Sequence, residues 1–247
     1  MIKDLRQVYY FQDLPDEALQ NLAQKLKPRQ FNKNHTLIYE EDTNRDVYII
    51  RSGSVKVFSE QDDKEIIFNF FFPGETVGEF EALYPGHSRI ASVQAMEKVH
   101  AWVLAKEDFI SLTEQYPSVM RRAYTQIVDH LRVLNRKVVY LSCMDVRRKT
   151  ANLLMDLFFN MGTKEDGQIY IRYKLTHHVL ANMIGVTRES LSKVMKEFQD
   201  EGLIVIKQKT IYILDLDRLQ AMCEINIDHP QQRKWRNEEV DQYVFND

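Results

Sequence analysis

Four side chains in the last third of the sequence have the types and the spacing needed to bind the edges of DNA bases. Arg188, Glu189, Ser192 and Lys193 lie at relative positions 0, 1, 4 and 5, which is one face of an α-helix. Arginine and lysine can donate to guanine, glutamate can accept from cytosine, and serine can serve either base. The pattern predicts a base-reading surface, and a helix whose charges are simply solvated is the alternative.

Two short helices must position these side chains. Thr176 can cap the first, Gly185 allows a left-handed exit from it, and Thr187 can cap the second. The result is a helix-turn-helix, in which the N-terminal end of the second helix meets base edges in the major groove. We therefore take Thr176 and Thr187, with the four side chains above, as the candidate DNA-binding set. The inward-facing residues are predicted to be Val179, Leu180, Met183 and Ile184, then Leu191, Val194, Met195 and Phe198.

The surroundings of this motif support the same interpretation. Residues 202–206 and 210–214 are apolar runs that predict a terminal β-hairpin, which would form a wing beside the helices. Asp145 can cap a preceding helix over Val146 to Phe159. The net charge of the chain is −3, but residues 146–214 carry 11 Lys/Arg against 7 Asp/Glu. A basic module between acidic flanks is expected if only that module approaches phosphates.

A long helical pattern after Pro117 carries apolar residues at alternating intervals of four and three. That spacing places them along one stripe of a continuous helix. Charged residues lie between those of the stripe and are expected to keep the other faces in water. We therefore expect the stripe to pair with its copy in a second subunit; a buried core helix is the alternative. We call this stripe the apolar seam, and it consists of Met120, Tyr124, Ile127, Leu131, Leu134, Val138 and Leu141.

The region between Gln30 and Lys106 is strand-like and predicts a sandwich or jelly roll of short strands. Gly53 lies between two apolar runs, at 47–50 and 55–58, which predicts a hairpin. A short amphipathic helix is expected before this region, from Asp16 to Leu26. The fold class expected for the whole chain is therefore α+β.

Several protein classes are disfavoured by the composition. The longest apolar runs fall short of the roughly 18 residues needed to cross a membrane, and the N-terminal residues lack the apolar centre of a signal peptide. We expect a cytoplasmic protein with no membrane partner. The two cysteines, Cys143 and Cys223, are too few for an iron–sulfur cluster, and the seven histidines contain no HxH pair. We expect no metal site.

The sequence resembles the Crp/Fnr superfamily over roughly residues 10 to 222. The stretches that carry the resemblance are "RSGSVKVF", "FFPGETVGEFEAL", "SRIASV", the long helix after "EQYP", and "LTHHVLANMIGVTRESLSKVMKEFQDEGLI". The resemblance implies an N-terminal double-stranded β-helix effector domain, a dimerisation helix and a C-terminal winged helix-turn-helix. It also implies that Arg188, Glu189 and Lys193 occupy base-reading positions. The family usually has arginine where this chain has Lys193, so an altered version of its TGTGA-like or TTGAT-like half-sites is expected.

The resemblance further implies a phosphate cassette. In similar cyclic-nucleotide binders a glutamate takes the ribose hydroxyl and an arginine pairs with the phosphate, and Glu79 and Arg89 match that pattern. Glu81 adds a second carboxylate, Ile90 lacks a hydroxyl, and Glu79 can instead pair with Arg89 as a structural bridge. We therefore expect this site to bind a small molecule other than a cyclic nucleotide, or to bind no ligand. The candidate effector residues are Gly78, Glu79, Phe80, Arg89, Ile90, Leu134 and Asn135.

These expectations combine into a homodimeric transcription regulator rather than an enzyme. Its partners would be a palindromic DNA operator, RNA polymerase and an unknown effector. A cupin-like metalloenzyme and a nucleotide-gated regulatory subunit without DNA function are the rival classes. The expected domains are an effector domain at 1–116, a dimerisation helix and hinge at 117–144, the DNA-binding domain at 145–222, and a tail of unknown role at 223–247.

Overall fold

The computed structural model describes residues 2–62, 64–86, 88–165, 167–223 and 233–235. The described chain divides into two compact units, and the division falls between Asp129 and His130.

The first unit is built on two antiparallel four-stranded sheets. One sheet has the strand order β1-β8-β3-β6 and the other the order β2-β7-β4-β5. Apolar side chains of both sheets, among them Ile50, Val55 and Val93, form one buried cluster. The strands are β1 (Lys27–Phe31), β2 (Thr36–Ile38), β3 (Val47–Ser52), β4 (Val55–Gln61), β5 (Lys64–Phe71), β6 (Thr76–Val77), β7 (Ser92–Ala95) and β8 (Val99–Leu104).

Short helices complete this unit. A second buried cluster joins the N-terminal helices to Trp102 and Leu104 of β8 and to Phe109. The predicted helix from Asp16 is confirmed and ends at Lys25, one residue earlier than expected. The helices are α1 (Ile2–Leu5), a 3-10 turn (Tyr9–Phe11), α2 (Asp16–Lys25), α3 (Glu79–Leu83) and α4 (Lys106–Gln115).

The hairpin predicted around Gly53 is wrong. β3 pairs with β8 and β6, whereas β4 pairs with β5 and β7, so the chain passes from one sheet to the other at this glycine. Gly53 has a φ of 80°, and a Cβ there would lie 2.4 Å from the carbonyl oxygen of Lys98. Glycine is therefore required by a close backbone approach at a corner of the sandwich. In the sequence, a glycine required for this reason looks the same as a glycine required by a tight turn.

The long helix α5 spans Pro117–Cys143 and contains the division between the units. The predicted continuous helix is confirmed, but the expectation that all faces outside the seam contact water is wrong. A second stripe of side chains, whose spacing also follows the helical repeat, is buried within the chain. This stripe contains Val119, Ala123, Val133, Lys137 and Tyr140.

The second unit is helical with a four-stranded antiparallel sheet in the order β11-β12-β10-β9. The predicted helix-turn-helix and terminal hairpin are both present: Gly185 exits α7 with a φ of 63°, and β11 pairs with β12. The elements are α6 (Val146–Met161), β9 (Gly162–Glu165), β10 (Gln168–Ile171), α7 (His177–Ile184), α8 (Arg188–Asp200), β11 (Ile204–Lys207), β12 (Thr210–Ile213) and α9 (Leu216–Met222).

Side-chain caps define the helix starts of this unit. The hydroxyls of Thr176 and Thr187 accept from the backbone N–H of Val179 and Ser190, at 3.2 and 3.1 Å. The carboxylate of Asp145 accepts from Arg148 N at 2.8 Å, as predicted. Each cap satisfies a backbone N–H that has no partner inside its helix, which is typically worth about 1 kcal/mol.

Candidate nucleic-acid interface and effector site

Helix α8 has one buried and one exposed face. Leu191, Val194, Met195 and Phe198 are buried, as predicted. Arg188, Glu189 and Lys193 are exposed near the N-terminal end of the helix. The positive end of the helix dipole is at the same end, which favours the approach of an anionic polymer.

Ser192 lies on the same face but is less accessible. Its hydroxyl is 2.8 Å from Nδ1 of His177, the first residue of α7. Burial, with a smaller effect from the charge of Arg188, lowers the pKa of His177. The contact crosses between the two helices and therefore fixes the orientation of the Ser192 hydroxyl. Sequence analysis did not identify this role of His177, because the contact depends on the crossing of α7 and α8.

An open pocket of about 460 Å³ lies between the start of α7, the start of α8 and the β11–β12 hairpin. Lys209, at the tip of this hairpin, adds a cation that sequence analysis missed. Gln208 and Lys209 have φ angles of 49° and 67° and form a two-residue turn of the type that matches strand twist. No glycine marks this turn in the sequence. The pocket is lined by Leu175, Thr176, His177, His178, Arg188, Ile206, Lys209 and Ile211.

Arg147 of α6 connects that helix to the C-terminal half of α8. Its guanidinium donates to Glu201 at 2.6 Å and to Glu197 at 3.4 Å. It also lies 4.9 Å from the centroid of the Phe198 ring. These contacts hold the C-terminal half of α8 against α6, and they too were absent from the sequence prediction.

The cassette around Glu79 is closed in this structure. Gly78 has a φ of 87° and precedes α3, which begins with Glu79 and Phe80. Glu79 is only 1% exposed, and the hydroxyl of Tyr10 donates to its Oε1 over 3.3 Å. Burial raises the pKa of Glu79 to about 8, so the side chain is largely protonated at neutral pH. A ribose hydroxyl has no access to it in this conformation.

Arg89 is held by backbone carbonyls. Nε donates to Asn44 O at 2.8 Å, Nη1 to Gly78 O at 2.9 Å, and Nη2 to Asp46 O at 2.6 Å. A Cβ at position 78 would lie 2.6 Å from Nη1, so glycine is required beside this guanidinium. Arg89 is 2% exposed, and its burial is what lowers its pKa.

The predicted pair between Glu79 and Arg89 is wrong. Oε2 of Glu81 lies 3.6 Å from Nη1 of Arg89, and Oε1 of Glu81 accepts from the backbone N–H of Ile90 at 3.5 Å. The Glu81 carboxylate thus contacts the two groups that an anionic ligand would use. Glu79 cannot reach Arg89 because its side chain points into the core beside Tyr10.

The remaining candidate effector residues lie at the surface of their units. Ile90 is 71% exposed. Leu134 and Asn135 are exposed on α5 and belong to the second unit, whereas Glu79 and Arg89 belong to the first.

The apolar seam is exposed along most of its length. Tyr124, Leu131 and Val138 are 67%, 53% and 62% exposed, and Met120 and Leu134 are also exposed. Ile127 and Leu141 are half-buried. Val128 and Val139, which sequence analysis did not include, widen the stripe.

The described residues contain no group of three or more His, Cys, Asp or Glu side chains that could hold a metal ion. Cys143 is exposed and Cys223 is buried, and both are free thiols. Within the same residues, no helix combines the length and the apolar character that a membrane span requires.

Two family profiles match the chain. One, described as a cyclic nucleotide-binding domain, matches residues 28–116. The other, described as a Crp-like helix-turn-helix domain, matches residues 148–222. The two matches correspond to the sandwich and to the unit that carries α7 and α8.

Named relatives match most of the chain. A "CRP-like cAMP-activated global transcriptional regulator" of Mycobacterium tuberculosis is 28% identical over 210 residues, which is 85% of this chain and 93% of the relative. The "cAMP-activated global transcriptional regulator Vfr" of Pseudomonas aeruginosa is 29% identical over 191 residues, covering 75% and 88% of the two chains.

Solved structures share the fold. A CooA variant from Carboxydothermus hydrogenoformans has a TM-score of 0.71 at 21% identity and covers 83% of this chain and 90% of its own. FixK2 from Bradyrhizobium japonicum has a TM-score of 0.72 at 16% identity, covering 82% and 99%. The two profile matches and the named relatives, together with the capped helix-turn-helix and its exposed α8 face, show that the chain belongs to the Crp/Fnr family of DNA-binding transcription regulators.

Proposed function

We propose that the chain acts as a homodimer that reads a palindromic operator with two copies of α8. In this proposal residues 1–116 sense an effector, 117–144 form the dimerisation helix and hinge, and 145–222 bind DNA. The observation that carries the proposal is the N-terminal face of α8, where Arg188, Glu189 and Lys193 are exposed on a helix whose other face is buried.

The apolar seam supports the dimer. α5 already buries one stripe within its own chain, yet several large apolar side chains on the seam remain exposed. Burying a Leu or Val side chain contributes roughly 1.5–3 kcal/mol, so covering the seam offers a large gain before association entropy is subtracted. A second copy of the same helix presents a matching stripe, as a two-fold interface requires.

Each α8 side chain has a proposed role in reading the operator. Arg188 and Lys193 donate to guanine, and Glu189 accepts from cytosine. Ser192 contacts a base with a hydroxyl whose direction is set by His177. Thr176 and Thr187 stand at helix N-termini, where backbone N–H groups face phosphates. Lys209 of the wing adds a phosphate contact.

The effector proposed for the sandwich is a small molecule other than a free cyclic nucleotide. Two relatives are named as cAMP-activated, and the CLP regulator of Xanthomonas campestris is described as c-di-GMP responsive. In this chain a phosphate would have to displace Glu81 and compete with three carbonyls for Arg89. Calorimetric titration with cAMP, cGMP and c-di-GMP tests this, and micromolar binding that Arg89→Ala abolishes would contradict it.

We propose that the protein acts in the cytoplasm and is not an enzyme. The support is that the named relatives are transcription regulators. The purified protein is expected to retard DNA from its own promoter, with an affinity that falls steeply with salt because phosphate contacts release counterions. A cupin-like enzyme would carry stoichiometric metal, and a regulatory subunit would not retard the DNA; either result would reject the proposal.

A further inference from the structure

Three polar side chains are buried at four-residue intervals along α6. Asn152 and Asp156 are 0% exposed, and Asn160 is also buried. This spacing places all three on one face of the helix. Buried amides and carboxylates are costly unless their hydrogen bonds are satisfied. Nδ2 of Asn152 and of Asn160 donate to carbonyls of α6 itself, but the side-chain oxygens of the stripe need donors from outside the helix.

The partners come from residues 233–235, more than seventy positions further along the chain. Arg233 donates from Nη1 to Asp156 Oδ1 at 3.0 Å and from Nη2 to Asn152 Oδ1 at 3.2 Å. Asn160 Nδ2 donates to the carbonyl of Arg233 at 2.8 Å, and Asn160 Oδ1 accepts from Trp235 N at 2.6 Å. Every member of the stripe therefore hydrogen-bonds to this one segment.

Asp156 also joins the segment to α5. Its Oδ1 accepts from Arg136 Nη2 at 2.7 Å, so one carboxylate lies between a guanidinium of α5 and the guanidinium of Arg233. Lys137 of α5 lies 5.7 Å from the centroid of the Trp235 ring. Arg233 and Trp235 are each 3% exposed, which places the segment inside the second unit rather than on its surface.

We propose that Asn152, Asp156 and Asn160 form a docking site on α6 for the Arg233–Trp235 segment of the same chain, and that the docked segment locks the hinge between α5 and α6. The site receives the guanidinium and the carbonyl of Arg233 and the backbone N–H of Trp235. Arg136–Asp156 joins α5 to α6 directly across the Cys143–Asp145 junction. The segment adds a second connection, because Arg233 binds α6 while the Trp235 ring lies beside Lys137 of α5. The helix-turn-helix family match ends at residue 222, so this element is additional to the matched domain. The docking does not depend on the proposed DNA function.

The chain contains two tryptophans, which gives a direct test. Trp102→Phe leaves Trp235 as the only indole, and its emission is expected to be that of a buried ring. Arg233→Gln in this background removes one of the two guanidinium groups that pair with Asp156 Oδ1 and leaves the other, that of Arg136, in place. We expect the emission to shift to longer wavelength, acrylamide quenching to rise, and the unfolding equilibrium constant to increase on the order of 100-fold.

The matched control is Arg218→Gln, which removes an exposed arginine of the same unit. Its pairs with Glu201 and Asp215 are long and accessible to water, so little change is expected. Hydrogen exchange of the amides at residues 142–148 should accelerate in Arg233→Gln and not in the control, because the undocked segment no longer restrains the hinge.

A double-mutant cycle separates the loss of this one contact from a general failure to fold. Asp156→Asn combined with Arg233→Gln should be less destabilised than the sum of the two single variants, because each single variant already removes the Arg233–Asp156 ion pair. Exposed Trp235 emission in the Trp102→Phe parent would overturn the proposal. So would strict additivity in the cycle, or fluorescence and exchange in Arg233→Gln that match those of Arg218→Gln.

Discussion

Glu79 shows how burial changes the chemistry of a residue that matches a family pattern. Its carboxyl is enclosed beside Tyr10, and burial raises its pKa from 4.5 to about 8. The folded protein therefore keeps a proton that the unfolded chain releases above its lower pKa. The free energy of unfolding should consequently fall as the pH rises from about 4.5 to about 8.

Glu79→Gln is expected to remove this pH dependence. Glutamine is neutral at every pH and can still accept from Tyr10, so the variant should match the parent near pH 4.5. At pH 8 and above it should be more stable, by on the order of a few kcal/mol. Denaturant unfolding at a series of pH values measures the difference.

Glu114→Gln on α4 is the control, because that carboxylate is exposed. Parallel stability curves for the parent and Glu79→Gln across the whole pH range would show that Glu79 is ionised in the folded state.

The proposed base reading by α8 should also depend on single residues. Arg188→Ala and Glu189→Ala should each weaken operator binding by about 1–3 kcal/mol and relax the preference at one base pair. Both side chains are exposed, so neither variant should unfold the protein. Fluorescence anisotropy on an operator series with single base changes measures both effects.

Arg218→Ala provides the comparison, since it removes an equal charge from α9. A uniform loss of affinity on every sequence, equal for Arg188→Ala and Arg218→Ala, would mean that Arg188 contributes only general electrostatic attraction.

Among the elements, α5 matters most for the proposed dimer, because it presents two apolar stripes in different directions. One stripe is buried in its own chain and includes Val133 and Tyr140. The other is the apolar seam, which is left exposed. The sequence contains both sets of residues, but the charged residues between them concealed the second stripe. Arg122 shows why: its guanidinium pairs with Asp13 and lies over the ring of Tyr9 rather than in bulk water.

Leu131→Asp should convert the protein to monomers. Leu131 is 53% exposed in a single chain, so the carboxylate is tolerated there, but two copies in a closed seam would bring unpaired charges into an apolar interface. Sedimentation velocity at micromolar concentration measures the change in mass.

Gln20→Asp introduces the same charge at an exposed position of α2, which is not part of the seam, and it should leave the proposed dimer intact. Dimers that persist in Leu131→Asp would place the interface elsewhere on the chain.

For the whole molecule, the two-fold symmetry of the proposed dimer makes operator spacing a geometric prediction. Two α8 helices in successive major grooves must lie about 34 Å apart, one turn of DNA. Inserting about 5 base pairs between half-sites should reduce binding to the level of one half-site, because the second half-site then faces the opposite side of the duplex. The companion test is the insertion of one full turn of DNA between the half-sites.

Full-turn insertion keeps both half-sites on one side but changes their distance, so it separates rotational from distance requirements. Equal affinity for all spacings in a gel-shift titration would indicate that each subunit binds alone.

The features that the sequence predicted well are those that depend on neighbouring residues. Thr176, Thr187 and Asp145 cap helices with their own side chains, and Gly185 supplies a positive φ. These interactions reach no further than three or four residues, so they can be inferred from spacing. The seam was found in the same way, because a helical repeat is visible in the order of residues.

The features that only the tertiary structure decided depend on segments distant in the chain. The strands on either side of Gly53 enter different sheets, and the carboxylate that reaches Arg89 is Glu81 rather than Glu79. The polar stripe of α6 finds its partner at Arg233. Spacing in the sequence carries no information about such pairings, because they are selected by the free energy of burying polar groups with satisfied hydrogen bonds in a packed interior.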